Sequence, residues 1–325
     1  MLQIFIRICS ICLMICAGAL ARRRGVLNSD STRSLAFLST NFIYPAAVYS
    51  SLVGNFTLGQ IASKWTLPAG ALMVFVVGFA VGAAGLLLLR NSRECERRMF
   101  HFQSTLCNYV FLPMPLVMYA FGDAGVGLLS LSTVGSEIGV WTVGVIAISG
   151  GFRLKQLRNM LNMPMIAVIL SIITLAFKEF LPWTPAPGSL FASVCSSLLS
   201  TAKMFGAGTV AIAMIVAGSR MTELNSRSLF NGLQLFTAFV RLVAVPAVCI
   251  ALIYLLPFAA DVRNILVIVA VMPASVASVA IGDIFGGDNE SIAASVLLTH
   301  ILCILTVPAW LWLCGTLFGV SLLGN

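Results

Sequence analysis

Charged residues are scarce in this sequence. Lysine, arginine, aspartate and glutamate make up only 9% of the 325 residues, whereas a soluble domain carries roughly a quarter. Hydrophobic residues make up 59%, and the mean hydropathy is +1.02. The apolar runs are continuous over about 20 residues rather than alternating, which favours membrane-spanning helices over an outer-membrane barrel. We therefore expect an all-α integral membrane protein.

Motifs for catalysis and for metal binding are also missing. The two histidines, His101 and His300, are far apart in the chain, and neither H-E-x-x-H nor G-x-S-x-G occurs. The nine cysteines show no metal-ligand spacing. These absences predict a protein that is not an enzyme and has no metal site or organic cofactor, so that a coupling proton or sodium ion is the remaining candidate.

Ten apolar segments are each long enough to cross a membrane. They cover approximately residues 2–20, 34–53, 66–89, 99–120, 124–149, 161–181, 189–218, 229–256, 262–285 and 291–318. The links between them are short and leave no room for a soluble domain. The sequence thus predicts a single membrane domain made of two five-helix halves, residues 1–150 and 151–325.

Basic residues in the links predict the orientation of these spans. The first, third, fifth and seventh links carry thirteen lysines and arginines, whereas the even links have only Lys64, Lys178 and Arg263. Because basic links stay in the cytoplasm, both termini are expected on the extracytoplasmic side of the plasma (inner) membrane. The formal net charge of +8 therefore reflects topology, and a nucleic-acid partner is not expected.

Two spans are interrupted by proline. Pro113 and Pro115 lie in the fourth span, and Pro273 lies in the ninth, 160 residues after Pro113. Each proline removes a backbone donor and clashes with the preceding turn, so these helices should break. A broken helix at membrane depth must be buried in protein or lie beside a wet cavity. Matching breaks in two halves of opposite orientation predict a 5+5 inverted repeat with a binding site at the midplane.

Polar residues near these breaks are candidates for substrate binding. Asn108 precedes the first break by about one turn, Ser275 and Ser278 follow the second, and Asn41 lies in the second span near Pro45. The amino ends of broken helices favour an anionic group such as a carboxylate. The serines and Asn108 alternatively satisfy the carbonyls that the prolines free.

Ionisable residues inside spans are costly and are candidates for function. Glu137 lies near the middle of the fifth span, where it could carry a coupling proton, bind sodium or stay protonated in a helix contact. Arg241 lies in the eighth span. Its expected roles are to neutralise a partner such as Glu137, to contact an anion or to extend to the cytoplasmic surface.

Several segments, in this order and spacing, resemble a known family. They are residues 17–25, 41–45 (Asn-Phe-Ile-Tyr-Pro), 108–115 (Asn-Tyr-Val-Phe-Leu-Pro-Met-Pro), 137–142, 241–246, 272–275 and 305–308. Over nearly its whole length the chain is similar to the auxin efflux carrier family of membrane transport proteins. The resemblance implies ten spans with crossed broken helices in spans four and nine. It also implies a scaffold of spans one, two, six and seven, against which the other spans move.

In that family the asparagine at the crossed helices holds a carboxylate-bearing substrate, a role that the resemblance assigns to Asn108. The fifth link here is only about a dozen residues, unlike the long central loop of the plant auxin carriers. We therefore expect a bacterial-type secondary transporter of a small mono- or dicarboxylate. The alternatives are a carrier like the bile acid:sodium symporters and a membrane sensor of the same fold that does not transport. Small residues in the first and seventh spans are compatible with a homodimer.

Overall fold

The computed structural model describes residues 2–151, 154–180, 189–222 and 229–318, and within these ranges the regular elements are helices. The first half contains α1 (Leu2–Arg23), α2 (Ser29–Leu38), α3 (Tyr44–Asn55), α4 (Leu58–Ser63), α5 (Thr66–Gly85), α6 (Glu94–Thr105), α7 (Pro113–Gly139) and α8 (Val145–Ser149). The second half contains α9 (Met163–Phe180), α10 (Leu190–Gly206), α11 (Thr209–Met221), α12 (Gly232–Phe239), α13 (Val245–Leu255), α14 (Ala260–Ala270), α15 (Ala277–Phe285) and α16 (Asn289–Phe318).

The two proline-containing segments break where the sequence predicts and meet each other. Residues 106–112 separate α6 from α7, and residues 271–276 separate α14 from α15; we call these two segments the crossover. They pair as an antiparallel bridge between Cys107 and Ala274. The Asn108 amide N–H donates to the Pro273 carbonyl at 2.8 Å, and the Ser275 N–H donates to the Leu106 carbonyl at 3.3 Å. The two breaks thus satisfy each other's backbone groups.

Three π-helical turns interrupt other long helices. They are Ser39–Ile43 between α2 and α3, Val140–Gly144 between α7 and α8, and Val240–Ala244 between α12 and α13. The first and third immediately precede Pro45 and Pro246. A proline cannot donate to the preceding turn, which explains the widened backbone. The carbonyl of Leu242, four residues before Pro246, instead accepts from the Trp310 indole at 2.8 Å.

Six helices in the described ranges are long and apolar enough to cross a membrane. They are Leu58–Gly85, Pro113–Ser149, Met163–Phe180, Leu190–Arg220, Gly232–Leu255 and Glu290–Leu317. Helices α6 and α14 are shorter than a membrane is thick because the crossover ends them. Helix α7 bends at Gly122, whose φ of 61° lies in the left-handed region that glycine tolerates. This bend separates the end of the predicted fourth span from the fifth.

Candidate functional site

A cavity of about 170 Å³ lies on one side of the crossover. Its walls come from α1, α2, α11, α15, α16 and the crossover, and most of its lining is apolar. The polar side chains that line it are Ser39, Thr40, Asn108, Arg220 and His300. Arg220 is the one charged side chain among these described lining residues, and no carboxylate is among them.

Asn108 is buried at the crossover, as its position before the break suggests. Its side-chain oxygen accepts from the N–H groups of Phe111 at 3.2 Å and Leu112 at 3.4 Å, the two residues that directly precede α7. This use of the oxygen fixes the orientation of the amide, and the Nδ2 group faces the His300 Nε2 atom at 3.4 Å. Asn108 therefore both supports the helix break and offers an N–H group to the cavity.

His300 is one of the polar residues at the site that sequence reasoning missed, as it also missed Ser39, Thr40 and Arg220. His300 lies on α16, is 6% exposed, and reaches Asn108 from the other half of the chain. Its Nδ1 atom lies 2.8 Å from the Val296 carbonyl one turn earlier. A lone histidine in an apolar span that has no metal partner gives no sequence signal except that burying it is costly. That cost is the signal that could have identified it.

The π-helical turn brings Ser39 and Thr40 to the cavity wall. The Ser39 hydroxyl is buried, and among the described residues it has no hydrogen-bond partner. Asn41 does not line this cavity, because its amide donates to the Phe37 carbonyl at 2.9 Å. The structure thus places Ser39 and Thr40, the neighbours of Asn41, at the cavity.

Ser275 and Ser278 support the second break. The Ser275 backbone N–H belongs to the bridge, and the Ser278 hydroxyl donates to the Ser275 carbonyl at 2.6 Å. Val276, Ala277 and Ala280 line the cavity in their place. The Ser278 hydroxyl is thus used by a backbone carbonyl just after the break rather than by the cavity.

Glu137 lies outside the cavity lining but is joined to the crossover. Its carboxylate accepts from the Tyr109 hydroxyl at 2.8 Å and from the Trp141 indole at 3.0 Å, and the side chain is almost fully buried. Tyr109 directly follows Asn108 and packs edge-on against Phe75. A change in the charge of Glu137 can therefore affect Asn108 through Tyr109, which lies between them.

Arg241 is fully buried, and none of its three expected roles describes its contacts. Its guanidinium donates to the carbonyls of Ala270 at 2.7 Å, Met272 at 3.1 Å and Ser104 at 3.4 Å. These carbonyls belong to the carboxyl ends of α14 and α6 and to the segment that follows α14. A helix carboxyl end carries partial negative charge and unpaired carbonyls, so one cation stabilises both half-helices where they break.

A second cavity, of about 420 Å³, lies at the opposite end of the same helices. Residues of α3 and α10 line it, whereas α2 and α11 line the first cavity, and each pair is one helix interrupted in its middle. An ion pair between Lys203 on α10 and Asp123 on α7, at 2.5 Å, lies in this second cavity. It links the helix after the Gly122 bend to α10.

Comparisons with known proteins agree with this architecture. The family described as "Membrane transport protein" matches residues 3–162 and 152–311. An uncharacterized transporter of Methanocaldococcus jannaschii is 22% identical over 310 residues, which cover 93% of this chain and 96% of that protein. Together with the apolar helices, these matches define an integral membrane transporter and not an enzyme.

The chain belongs to the membrane transport protein family, also called the auxin efflux carrier family. The resemblance inferred from the sequence motifs is thereby confirmed. The matches do not favour a symporter of the bile-acid type or a sensor that does not transport.

Proposed function

We propose that this protein is a secondary transporter of a small organic anion that works by alternating access. The observation that carries the proposal is the charge of the first cavity: its described lining has one cation, Arg220, and no carboxylate. Phe111 and Leu112, which directly precede α7, also line this cavity, and the dipole of α7 favours negative charge near its amino end. Asn108 supplies an N–H group beside it.

The proposed architecture is ten spans in a 5+5 inverted repeat, embedded in the plasma membrane with both termini outside the cytoplasm. Spans one, two, six and seven form the scaffold, and the crossover moves with the remaining spans. Two cavities at opposite ends of the same scaffold helices support this proposal, since each could open to one side of the membrane in turn. The Lys203–Asp123 ion pair joins the two units at one end.

Within this mechanism Asn108 contacts the substrate, while Ser275 and Ser278 keep the second break in shape for it. Glu137 is the proposed ion-coupling carboxylate, and a proton or sodium ion on it would alter its bond to Tyr109 and so the position of the crossover. Two further expectations from the sequence stay predictions. They are that Asn41 contacts the substrate and that the protein forms a homodimer.

A thermal-shift experiment tests the substrate class. Purified protein is mixed with acetate, lactate, benzoate or succinate, with and without sodium. A ligand at about 100 times its Kd stabilises the folded state by about 2.7 kcal/mol, which raises the unfolding temperature. We expect at least one carboxylate to give such a shift and Asn108→Ala to abolish it.

Asn41→Ala is the matched control, because it removes the same amide from a position outside the cavity lining. The Asn41→Ala variant should retain most of the thermal shift. If the shift is lost, Asn41 does contact the substrate. If no carboxylate shifts the wild-type protein, the organic-anion proposal is wrong.

A further inference from the structure

The hydrogen bonds of His300 determine which of its two ring nitrogens carries a proton. The Val296 carbonyl can only accept a hydrogen bond, so the Nδ1 atom of His300, 2.8 Å away, carries a hydrogen. In the neutral imidazole the Nε2 atom is then an acceptor, and the Asn108 Nδ2 group donates to it at 3.4 Å. Asn108 and His300 are thus joined by a long hydrogen bond.

We propose that His300 binds a proton together with the transported anion, so that the anion site forms fully only in the protonated protein. This inference rests on the proposed function. A proton from solvent bonds to the Nε2 lone pair, and both ring nitrogens are then donors. The Asn108 N–H and the new Nε2–H face each other and cannot bond, whereas a carboxylate oxygen placed between them accepts from both.

The charges also balance. A proton and a carboxylate together add no net charge to the site, which removes most of the cost of placing an anion at membrane depth. When the carrier opens to the other side, the carboxylate and the proton both return to water, and His300 is neutral again. Each anion is thereby accompanied by one proton, on His300, which leaves sodium as the ion that Glu137 would couple.

Few charged or ionisable side chains among the described residues face His300 from the neighbouring elements. Arg220 lines the same cavity from α11 and adds attraction for the anion. Arg241 lies on the other side of the crossover and is saturated by carbonyls, and Glu137 is bound to Tyr109 and Trp141. The lining residues of α1, α2 and α15 are not ionisable. His300 is therefore the group of the described lining that can take up a proton when an anion enters.

Ser39 provides the third contact that a carboxylate needs. Its buried hydroxyl lines the cavity and has no hydrogen-bond partner among the described residues. An unpaired buried hydroxyl is costly, and in this site a bound anion would satisfy it. The π-helical turn that exposes Ser39 to the cavity is a form of backbone found frequently at functional sites.

Isothermal titration calorimetry tests this inference on the full-length protein. Acetate, lactate, benzoate and succinate are titrated at pH 7.5 in two buffers that differ in ionisation enthalpy. The difference in observed heat gives the number of protons taken up, since these acids are already ionised. We expect about one proton per anion bound, and a Kd that rises about tenfold per pH unit once His300 is mostly neutral.

His300→Gln separates the proton from the anion. The Gln amide keeps an N–H donor without a proton from solvent, so this variant should bind the anion with no proton uptake and with a Kd independent of pH. His101→Gln is the control. This buried histidine lies outside the cavity lining, with its Nε2 atom 3.0 Å from the Phe79 carbonyl, and its replacement should leave the uptake unchanged.

The outcomes distinguish the proposed role of His300 from the proposed transport of an organic anion. Anion binding to the wild type without proton uptake overturns the role of His300 and leaves the transporter proposal standing. Uptake that persists in His300→Gln also overturns it and moves the proton to another group. A wild type that binds none of the four anions overturns the proposed function itself.

Discussion

A single buried cation, Arg241, holds the ends of two broken helices. It donates to carbonyls at the carboxyl ends of both α6 and α14, on opposite sides of the crossover bridge. Arginine suits this position because its planar guanidinium has five donors in a fixed fork, whereas lysine has one compact ammonium group. The fork lets one side chain satisfy carbonyls that point from two directions.

We expect Arg241→Lys to lower the free energy of unfolding by about 2–4 kcal/mol, because at least one charge-assisted bond is lost and its carbonyl stays buried without a partner. Denaturation in detergent would measure the change. Arg90→Lys, at an exposed position in the third link, is the control and should have no measurable effect. Equal stability of the two variants would show that Arg241 does not hold the breaks.

At this scale the sequence predicted the residues whose signal is local. Asn108 stands one turn before Pro113, and its role at the break follows from that spacing. The contacts of Arg241 could not be predicted, because its acceptors lie 29, 31 and 137 residues away along the chain. His300 was missed for the same reason, since its partner Asn108 is 192 residues away.

Helices α1 and α11 lie very close together at two glycines. A Cβ atom on Gly18 would lie 2.1 Å from the Ile215 carbonyl oxygen, and one on Gly218 would lie 1.8 Å from that of Ile15. The two backbones are therefore in contact, as is typical of small residues in membrane helices. Both helices supply walls of the first cavity. These small residues, which the sequence associated with a dimer, are used within the chain.

Gly218→Ala should push α1 and α11 apart and cost about 1–3 kcal/mol of stability, because the new methyl group meets backbone that cannot rotate away. Thermal unfolding in detergent measures this cost, and anion binding should weaken with it as the cavity wall shifts. Gly59→Ala, where a Cβ would meet nothing within 4 Å, should be neutral or stabilise its helix by about 0.5 kcal/mol. A stable Gly218→Ala variant would contradict the close contact.

Helix boundaries followed from the sequence where proline or charge marks them. Pro113, Pro45 and Pro246 each stand at the start of a helix after a break or a π-helical turn. Helix α7 was harder to predict, because it continues from one predicted span into the next and bends at Gly122 instead of ending in a link. A single glycine among apolar residues does not reveal by itself that its φ is positive.

For the whole molecule, hydropathy and basic links predict the spans and their orientation, and the structure adds two cavities along the same pair of interrupted helices. Their relation to the two sides of the membrane depends on the orientation of the spans. The first cavity ends near Arg220, at the start of the basic seventh link, so it should face the cytoplasm. The second, with the Lys203–Asp123 ion pair, should then face outward.

Cysteine labelling on either side of α5 tests this orientation. Trp65 and Arg90 are exposed and flank α5, the 20-residue helix that forms most of the candidate membrane span Leu58–Gly85. In a variant whose exposed Cys16, Cys95 and Cys195 are replaced by serine, a membrane-impermeant maleimide should label Trp65→Cys in right-side-out vesicles and Arg90→Cys only in inverted vesicles. The reverse pattern would place the first cavity outside. Labelling of both from one side would mean that α5 does not cross, and the ten-span arrangement would be wrong.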